Sequence, residues 1–164
     1  MRLLIRKKAT VNARTRRSLS ALMMAAEAGQ LESVRLLIAS GATEDLNALD
    51  RRGYSALHMA VENGHDDIAK ELIDAGADVR IPRNNEWTCM LSAAFMGAAP
   101  VMEILVKHSA DVNAPIKGSS HGCAPIHLAA YNGFASSLDE LGRPGARVNQ
   151  AMDVRRGHVT EVGQ

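Results

Sequence analysis

Residues 55–79 read SALHMAVENGHDDIAKELIDAGADV, and related blocks return three more times along this chain of 164 residues. Aligned on their central alanines, the four blocks start 35, 33 and 36 residues apart, at Ser20, Ser55, Thr88 and Ala124. An internal period of this length is typical of a repeat protein, in which each unit buries its apolar face only against its neighbours. The period therefore predicts the fold, and it moves the question of function from catalysis to recognition.

Each block predicts a helix, a turn, a second helix and a loop. Ser20, Ser55 and Thr88 are N-cap residue types, and Pro125 suits the first helical position of the fourth block. The first helices end at glycines, which adopt a left-handed cap without steric cost; these are Gly29, Gly64, Gly97 and Gly133.

The second helix of each block carries a fuller aliphatic stripe, and the glycines that end it are Gly41, Gly76 and, in the fourth block, Gly145. Ser109 stands at the equivalent position of the third block, where a left-handed backbone would cost on the order of 1 kcal/mol. In the fourth block, Gly142 and Pro144 predict that the second helix stops near residue 141.

Two segments resemble the ankyrin repeat, whose core reads Gly-x-Thr-Pro-Leu-His-x-Ala-Ala and whose end reads Gly-Ala-Asp-Val-Asn. They are Gly53-Tyr-Ser-Ala-Leu-His58-Met-Ala and Gly122-Cys-Ala-Pro-Ile-His127-Leu-Ala-Ala, and Gly76-Ala-Asp-Val matches the end. The resemblance covers nearly the whole chain. It implies an all-α solenoid, in which stacked helix-turn-helix units are joined by β-hairpin-like loops.

The phase of the repeat divides a single predicted domain at 1–164. Residues 1–13 match the closing half of a repeat, and residues 152–164 form an incomplete repeat or tail that opens with Asp153-Val-Arg-Arg-Gly157. Because neither end shows a polar capping repeat, we expect a part of a longer array or a short array with frayed ends. The four full repeats are predicted at 14–48, 49–81, 82–114 and 115–151.

Charge is unevenly distributed, although the formal net charge is only +1. Residues 1–17 hold seven basic and no acidic side chains, whereas residues 18–82 hold five basic and eleven acidic ones. The sequence has no apolar run of the roughly 18 residues that a membrane span needs. Cys89 and Cys123 form no CxxC pair, and we expect two reduced thiols. The chain is therefore predicted to be a soluble monomer inside the cell, cytoplasmic or nuclear.

Motifs of a phosphate-binding loop, a nucleophile elbow or a zinc helix are absent from the sequence. His58 and His127 share one repeat position, and the resemblance implies that this histidine hydrogen-bonds the backbone of an adjacent loop. His108, His121 and His158 share no metal-ligand spacing. We therefore expect no catalytic residue, no metal and no cofactor, and we predict that the chain is not an enzyme.

The resemblance implies a concave face that contacts partners, built from the hairpin tips and the exposed sides of the first helices. Four of the five aromatic residues fall at such positions. Trp, Tyr and Arg are the types enriched in interface hot spots. The predicted contact residues are Arg16, Arg17, Leu19, Arg51, Arg52, Tyr54, Glu62, Asn63, Asn85, Trp87, Phe95, Met96, His121 and Tyr131.

We hypothesise that Trp87 anchors a partner protein, while the arginine pairs steer an acidic patch that lies beside the partner's apolar anchor. In the alternative, Trp87 and Phe95 pack on each other and only cover the third repeat. The partner is expected to be a protein rather than a membrane or a nucleic acid.

Other interpretations stay open. The chain can be the substrate-targeting or regulatory segment of a larger protein, such as a ubiquitin-ligase adaptor or a transcription regulator. The basic residues Arg6-Lys-Lys8 and Arg14 to Arg17 can contact nucleic acid, which the acidic segment beside them opposes. Asn113 resembles a site of asparagine hydroxylation, or it bonds only within its loop. The third block lacks the proline and the histidine of the pattern, so we expect a weak joint there.

Overall fold

The computed structural model describes residues 11–84, 86–116, 122–142, 150–152 and 159–161. Within these residues the chain forms four helical hairpins, which are numbered repeats 1 to 4. Their helices are α1 (Ala21–Glu27) and α2 (Leu31–Ala39), α3 (Ala56–Glu62) and α4 (Asp66–Asp74), α5 (Cys89–Met96) and α6 (Ala99–Lys107), and α7 (Pro125–Tyr131) and α8 (Ala135–Gly142). These bounds confirm the predicted helix-turn-helix units, and α8 ends within one residue of the predicted stop.

The repeats stack in two layers. The first helices pack on one another in the order α1, α3, α5, α7, and the second helices in the order α2, α4, α6, α8. A continuous buried cluster extends from Leu22 to Leu141 and consists of Ala, Val, Leu, Ile, Met and Cys side chains. Within the described part of the chain, this cluster contains no aromatic ring. These aliphatic side chains allow close helix packing, and the described aromatic residues lie outside the buried cluster.

Two elements lie outside the helical hairpins. A 3-10 helix at Ala42–Asp45 takes up the extra residues of the first loop, and the buried Asp45 carboxylate lies 2.8 Å from Nη2 of Arg14. Strands β1 (Gln150–Met152) and β2 (Val159–Glu161) pair antiparallel. The strand pair adds to the all-α architecture that was predicted. Residues 153–157, where a fifth hairpin was predicted, lie outside the described residues.

The predicted N-caps are confirmed. Each cap side chain accepts a hydrogen bond from the backbone N–H three residues later, at Ser20, Ser55 and Thr88. In repeat 2 the bond is reciprocal, because Nδ1 of His58 accepts from the backbone N–H of Ser55 at 3.4 Å. In repeat 4, Nδ1 of His127 accepts from the N–H of Ala124 at 3.0 Å. The histidine that the two repeats share therefore closes the start of its own helix.

Ser109 keeps the left-handed backbone of the glycines that it replaces. Its φ is 64°, and the glycines at the equivalent ends of α2 and α4, Gly41 and Gly76, have φ of 94° and 101°. A side chain in this region is strained because its Cβ approaches the carbonyl oxygen. At this helix end, repeat 3 therefore carries a local cost that repeats 1 and 2 avoid with glycine.

Rings from the following repeat cover two of the turn glycines. His65 lies against Gly29, where an added Cβ would come within 2.7 Å of the ring, and Phe134 lies against Gly97 in the same way. At the middle junction the equivalent residue is Ala98, and nothing lies within 4 Å of a Cβ placed on Gly64. The junction between repeats 2 and 3 thus lacks a ring that both neighbouring junctions have.

Replacing Ser109 with glycine should raise the free energy of unfolding by about 0.5–1 kcal/mol, because glycine adopts the left-handed backbone without the Cβ clash. Urea denaturation of wild type and Ser109→Gly measures the change. The matched control is Ser33→Gly, which should lower stability because Ser33 lies inside α2 with helical backbone. Equal destabilisation by both substitutions would contradict the assignment of strain to Ser109.

Acid should destabilise the fold through His58. Burial lowers the pKa of His58 to about 4 from its ordinary 6.5, although the nearby Trp87 backbone acts in the opposite direction. The unfolded chain therefore takes up this proton below pH 6.5 while the folded chain stays neutral down to about pH 4. Between these values His58 should remove on the order of 3 kcal/mol of stability.

The measurement is the free energy of unfolding of wild type and His58→Gln from pH 7 to pH 4. Glutamine can keep the reciprocal cap but has no proton to bind, so this variant should lose less stability on acidification. His108→Gln is the control, because His108 is exposed at the end of α6. Parallel pH profiles for wild type and His58→Gln would count against the buried neutral histidine.

Candidate interaction surface

The hairpin face is defined as the loops that precede the four first helices together with the exposed sides of those helices. Adjacent loops contact each other along it. The backbone N–H of Arg51 donates to the carbonyl of Arg17 at 3.4 Å, and Nδ2 of Asn84 donates to the carbonyl of Arg51 at 3.3 Å. A Cβ on Gly53 would come within 2.5 Å of the Asn84 nitrogen, so the glycine permits this approach. The loops of repeats 1 to 3 are therefore held in register.

Equivalent side chains form columns along this face. Seven residues after each cap stand Glu27, Glu62, Phe95 and Tyr131, so the column is acidic in repeats 1 and 2 and aromatic in repeats 3 and 4. Of the predicted contact residues, Leu19, Tyr54, Glu62 and Trp87 are half-buried. Asn85 and His121 lie outside the described residues. The remaining predicted contact residues are exposed: Arg16, Arg17, Arg51, Arg52, Asn63, Phe95, Met96 and Tyr131.

Arg83 is the central residue of this face, and the sequence did not single it out. Its side chain is only 18% exposed, and its Nη1 lies 3.4 Å from Oε1 of Glu62. The guanidinium also donates to the hydroxyl of Tyr54. It lies 4.9 Å from the ring centre of Tyr54 and 5.3 Å from that of Trp87. An arginine can satisfy a carboxylate and two aromatic rings at once because its charge is delocalised over a plane.

A second chain of hydrogen bonds joins the same two repeats. Nε1 of Trp87 donates to Oγ of Ser92 at 2.8 Å, and Oγ of Ser92 donates to Oε1 of Glu62 at 2.9 Å. Burial raises the pKa of Glu62, and the hydrogen bond from Ser92 and the charge of Arg52 partly oppose this effect. Burial also lowers the pKa of Arg83. The polar link between repeats 2 and 3 is therefore partly desolvated, so its charged members depend on each other.

The aromatic residues of repeat 3 pack on each other, which was the alternative interpretation of their positions. The rings of Trp87 and Phe95 meet edge to face, with centres 6.1 Å apart and planes at 78°. Trp87 is half-buried and its N–H is satisfied within the chain. The outward apolar surface is instead provided by Phe95 and Met96, which are 46% and 45% exposed, and by Tyr131, which is 88% exposed.

Two cavities lie at successive repeat junctions. The first junction cavity, of about 280 Å³, lies between repeats 1 and 2 and is lined by Arg17, Leu19, Glu27, Asp50, Arg51 and Arg52. The second junction cavity, of about 290 Å³, lies between repeats 2 and 3 and is lined by Glu62, Arg83, Trp87, Ser92, Phe95 and Met96. Both are at the lower limit for small-molecule sites, which is about 300 Å³. Their size suits one or two side chains.

Arg83 occupies the repeat position of Asp50, five residues before the cap. The buried Asp50 carboxylate closes its own loop by accepting from the backbone N–H groups of Arg52 and Tyr54, at 2.9 and 2.8 Å. In repeat 3 this acidic loop cap is replaced by a cation. The replacement is visible in the sequence, and together with the acidic Glu62 one repeat earlier it is the signal from which the polar link could have been found.

The remaining predictions concern the cysteines, Asn113, the basic segment and metal-binding or membrane-spanning elements. No disulfide joins Cys89 to Cys123, and burial raises the pKa of the Cys89 thiol. The backbone N–H of Asn113 donates to Oδ1 of Asp111 at 2.8 Å within its loop. Arg6-Lys-Lys8 lies outside the described residues. Within the described ranges there is no group of three or more metal-ligating side chains, and none of their helices is long and apolar enough to span a membrane.

A family model described as ankyrin repeats (3 copies) matches residues 1–83, which is just over half of the chain. A search of curated proteins found no match. The matched part includes repeats 1 and 2, and the unmatched α5 to α8 continue the same two-layer stacking.

The link between repeats 2 and 3 should be sensitive to the loss of Arg83. Replacing it with methionine keeps the length of the side chain but leaves the half-buried Glu62 without its cation, so stability should fall by about 1–3 kcal/mol. The double variant Glu62→Gln/Arg83→Met should recover part of this loss, because an amide is less costly than a carboxylate without a partner.

Urea denaturation of wild type, Glu62→Gln, Arg83→Met and the double variant measures the coupling energy between Glu62 and Arg83. Arg80→Met is the matched control, since Arg80 pairs with Asp78 at 2.9 Å but is 72% exposed, and its loss should leave stability close to wild type. If Arg83→Met were no more destabilising than Arg80→Met, Arg83 would not hold the two repeats together.

Proposed function

This chain belongs to the ankyrin-repeat family, and we propose that it is a non-catalytic module that binds a partner protein through its hairpin face. Ankyrin repeats are generally protein–protein interaction modules. The observation that carries the proposal is the distribution of aromatic residues. Tyr54, Trp87, Phe95 and Tyr131 all belong to the hairpin face, whereas the buried apolar cluster of the described residues contains only aliphatic and sulfur-containing side chains.

The apolar part of the face supports this proposal. Phe95, Met96 and Tyr131 expose large side chains on two neighbouring repeats, and the side-chain amide of Asn132 joins these repeats by donating to the Phe95 carbonyl at 3.0 Å. Aromatic and methionine side chains are enriched at interfaces, because each removes a large area from water on binding. Exposed rings on rigid helices therefore suit the apolar centre of an interface.

The basic part of the face gives the proposed partner its charge. Arg16, Arg17 and Arg51 are exposed, and none of them forms an ion pair with another described residue. Arg52 is also exposed, with its Nε 3.4 Å from the Asp50 carboxylate. Oppositely charged surfaces speed encounter and fix the orientation of two proteins. The proposed partner therefore carries an acidic patch beside an apolar anchor.

The proposed contact residues are the fourteen of the sequence prediction, and Arg83 acts behind them as a positioning residue. Trp87 is proposed to act as the wall against which Phe95 is held, and the exposed edge of Phe95 then contacts the partner directly. We further propose that the chain acts as a monomer in the cytoplasm or nucleus.

The proposal is tested by affinity capture from a cell extract with wild type, Arg51→Glu/Arg52→Glu and Phe95→Ala/Tyr131→Ala. Loss of hot-spot side chains should lower capture of a specific partner by about tenfold or more. Lys70→Glu is the control, because Lys70 is exposed on the second helix α4 and should leave capture unchanged.

Binding of each purified variant to the captured protein is then measured by titration calorimetry, and thermal unfolding shows that each variant is folded. If the arginine and aromatic variants bound as tightly as Lys70→Glu, the hairpin face would not be the binding surface. A measured turnover of any substrate by the chain would contradict the non-catalytic part of the proposal.

A further inference from the structure

We infer that the hairpin face binds an extended segment of its partner, in which an acidic side chain and a bulky apolar side chain are about three residues apart. The acidic side chain occupies the first junction cavity and the apolar one occupies the second. This inference rests on the proposed function, since it assigns the chemistry and the spacing of the segment that the same face takes.

The two cavities are versions of one site at successive junctions. Glu27 in the first and Glu62 in the second stand seven residues after their caps, and Asp50 and Arg83 stand five residues before theirs. A ligand that follows the stack of repeats therefore meets the two cavities one after the other. What differs between them is the chemistry of their walls.

The first junction cavity has an excess of positive charge. Three arginines line it, Arg17, Arg51 and Arg52, against the carboxylates of Glu27 and Asp50. Asp50 is buried, accepts two backbone N–H groups of its own loop and lies 3.4 Å from Nε of Arg52, so it offsets only that one of the three arginines. Arg17 and Arg51 have no ion-pair partner among the described residues. A carboxylate can accept two parallel hydrogen bonds from a guanidinium, which makes it the fitting occupant.

The second junction cavity has no charge left to satisfy. Its cation, Arg83, and its anion, Glu62, pair with each other, and the rings of Tyr54 and Trp87 cover the guanidinium. The rim is formed by Phe95 and Met96, which are about half exposed. Methionine is flexible and polarisable, so it adapts to aliphatic or aromatic partners. A volume of about 290 Å³ is large enough for one such side chain.

The stacking of the helices sets the distance between the two occupants. α1, α3 and α5 pack directly on one another, so equivalent positions in successive repeats lie about 8–10 Å apart. An extended chain advances about 3.3 Å per residue and covers this distance in about three residues. A helix rises about 1.5 Å per residue and would need about six. The spacing therefore distinguishes an extended ligand from a helical one.

The test is selection from a random library of peptides of about 12 residues, which are long enough when extended to cross all four repeats. The full chain is the target, and Arg51→Glu and Phe95→Ala variants remove peptides that bind elsewhere. Enriched peptides should carry Asp or Glu about three residues from Leu, Ile, Met or Phe. Synthetic versions are then titrated by fluorescence anisotropy.

A charge exchange tests the first cavity. Arg51→Glu should weaken the acidic peptide by about tenfold or more, and a peptide with lysine in place of its acidic residue should regain affinity for this variant. Phe95→Ala and Met96→Ser should weaken the peptide to a similar degree only while its apolar residue is present. Thermal unfolding confirms that each variant is folded, and Lys70→Glu serves as the control on the opposite layer.

The outcomes separate this inference from the proposed function. Peptides that depend on the hairpin face but carry a spacing of about six residues, or no fixed spacing, overturn the extended segment and leave the proposed function standing. If no peptide is enriched while a captured protein still depends on Arg51 and Phe95, the face binds a folded surface. This outcome also overturns the extended segment and leaves the proposed function standing. Loss of all dependence on the hairpin face overturns both.

Discussion

The structure depends on one constraint: a single helical hairpin of this chain cannot bury its apolar side alone. Each repeat is covered only by its neighbours, so the helices must approach closely along the whole stack. Alanine, leucine and methionine meet this requirement, and they form the continuous cluster from Leu22 to Leu141. Phe, Tyr and Trp are absent from this cluster among the described residues. The core and the hairpin face therefore have a common physical cause, since rings that the core does not hold are found on or beside the turns and loops.

The junction between repeats 2 and 3 is built differently from the other two. The ring that covers the turn glycine is missing there, because Ala98 stands where His65 and Phe134 stand. On the hairpin side, the same junction has the polar link of Arg83 with Glu62 and the hydrogen bonds through Ser92. In a partly desolvated ion pair, the loss of one member leaves the other charge without compensation, so the contact is stable only while both are present. The predicted weak joint thus coincides with the part of the face where the second junction cavity lies.

Much of the fold could be predicted because the signals are local. The caps at Ser20, Ser55 and Thr88, and the left-handed backbone at Ser109, each involve residues within one turn of each other. The aromatic positions followed from the repeat phase alone. Arg83 was missed because its role requires Glu62 and Tyr54, which lie in the previous repeat. The pairing of β1 with β2 was missed for a similar reason, since it joins two short segments that carry little strand signal.

By itself, the sequence determined the period, the helix boundaries and the family, because these follow from caps, turn glycines and apolar spacing that act within a repeat. Only the tertiary structure decided which of the predicted contact residues pack within the chain and which are exposed to a partner. In the structure, the Trp87 indole packs against Phe95 and donates a hydrogen bond to Ser92. Phe95, Met96 and Tyr131 are exposed, and Arg83 forms an ion pair with Glu62. The physical reason is that a side chain on this face can contact several residues of the adjacent repeats. Which contact forms depends on distances and burial in three dimensions, and the spacing of residues along the sequence does not give these.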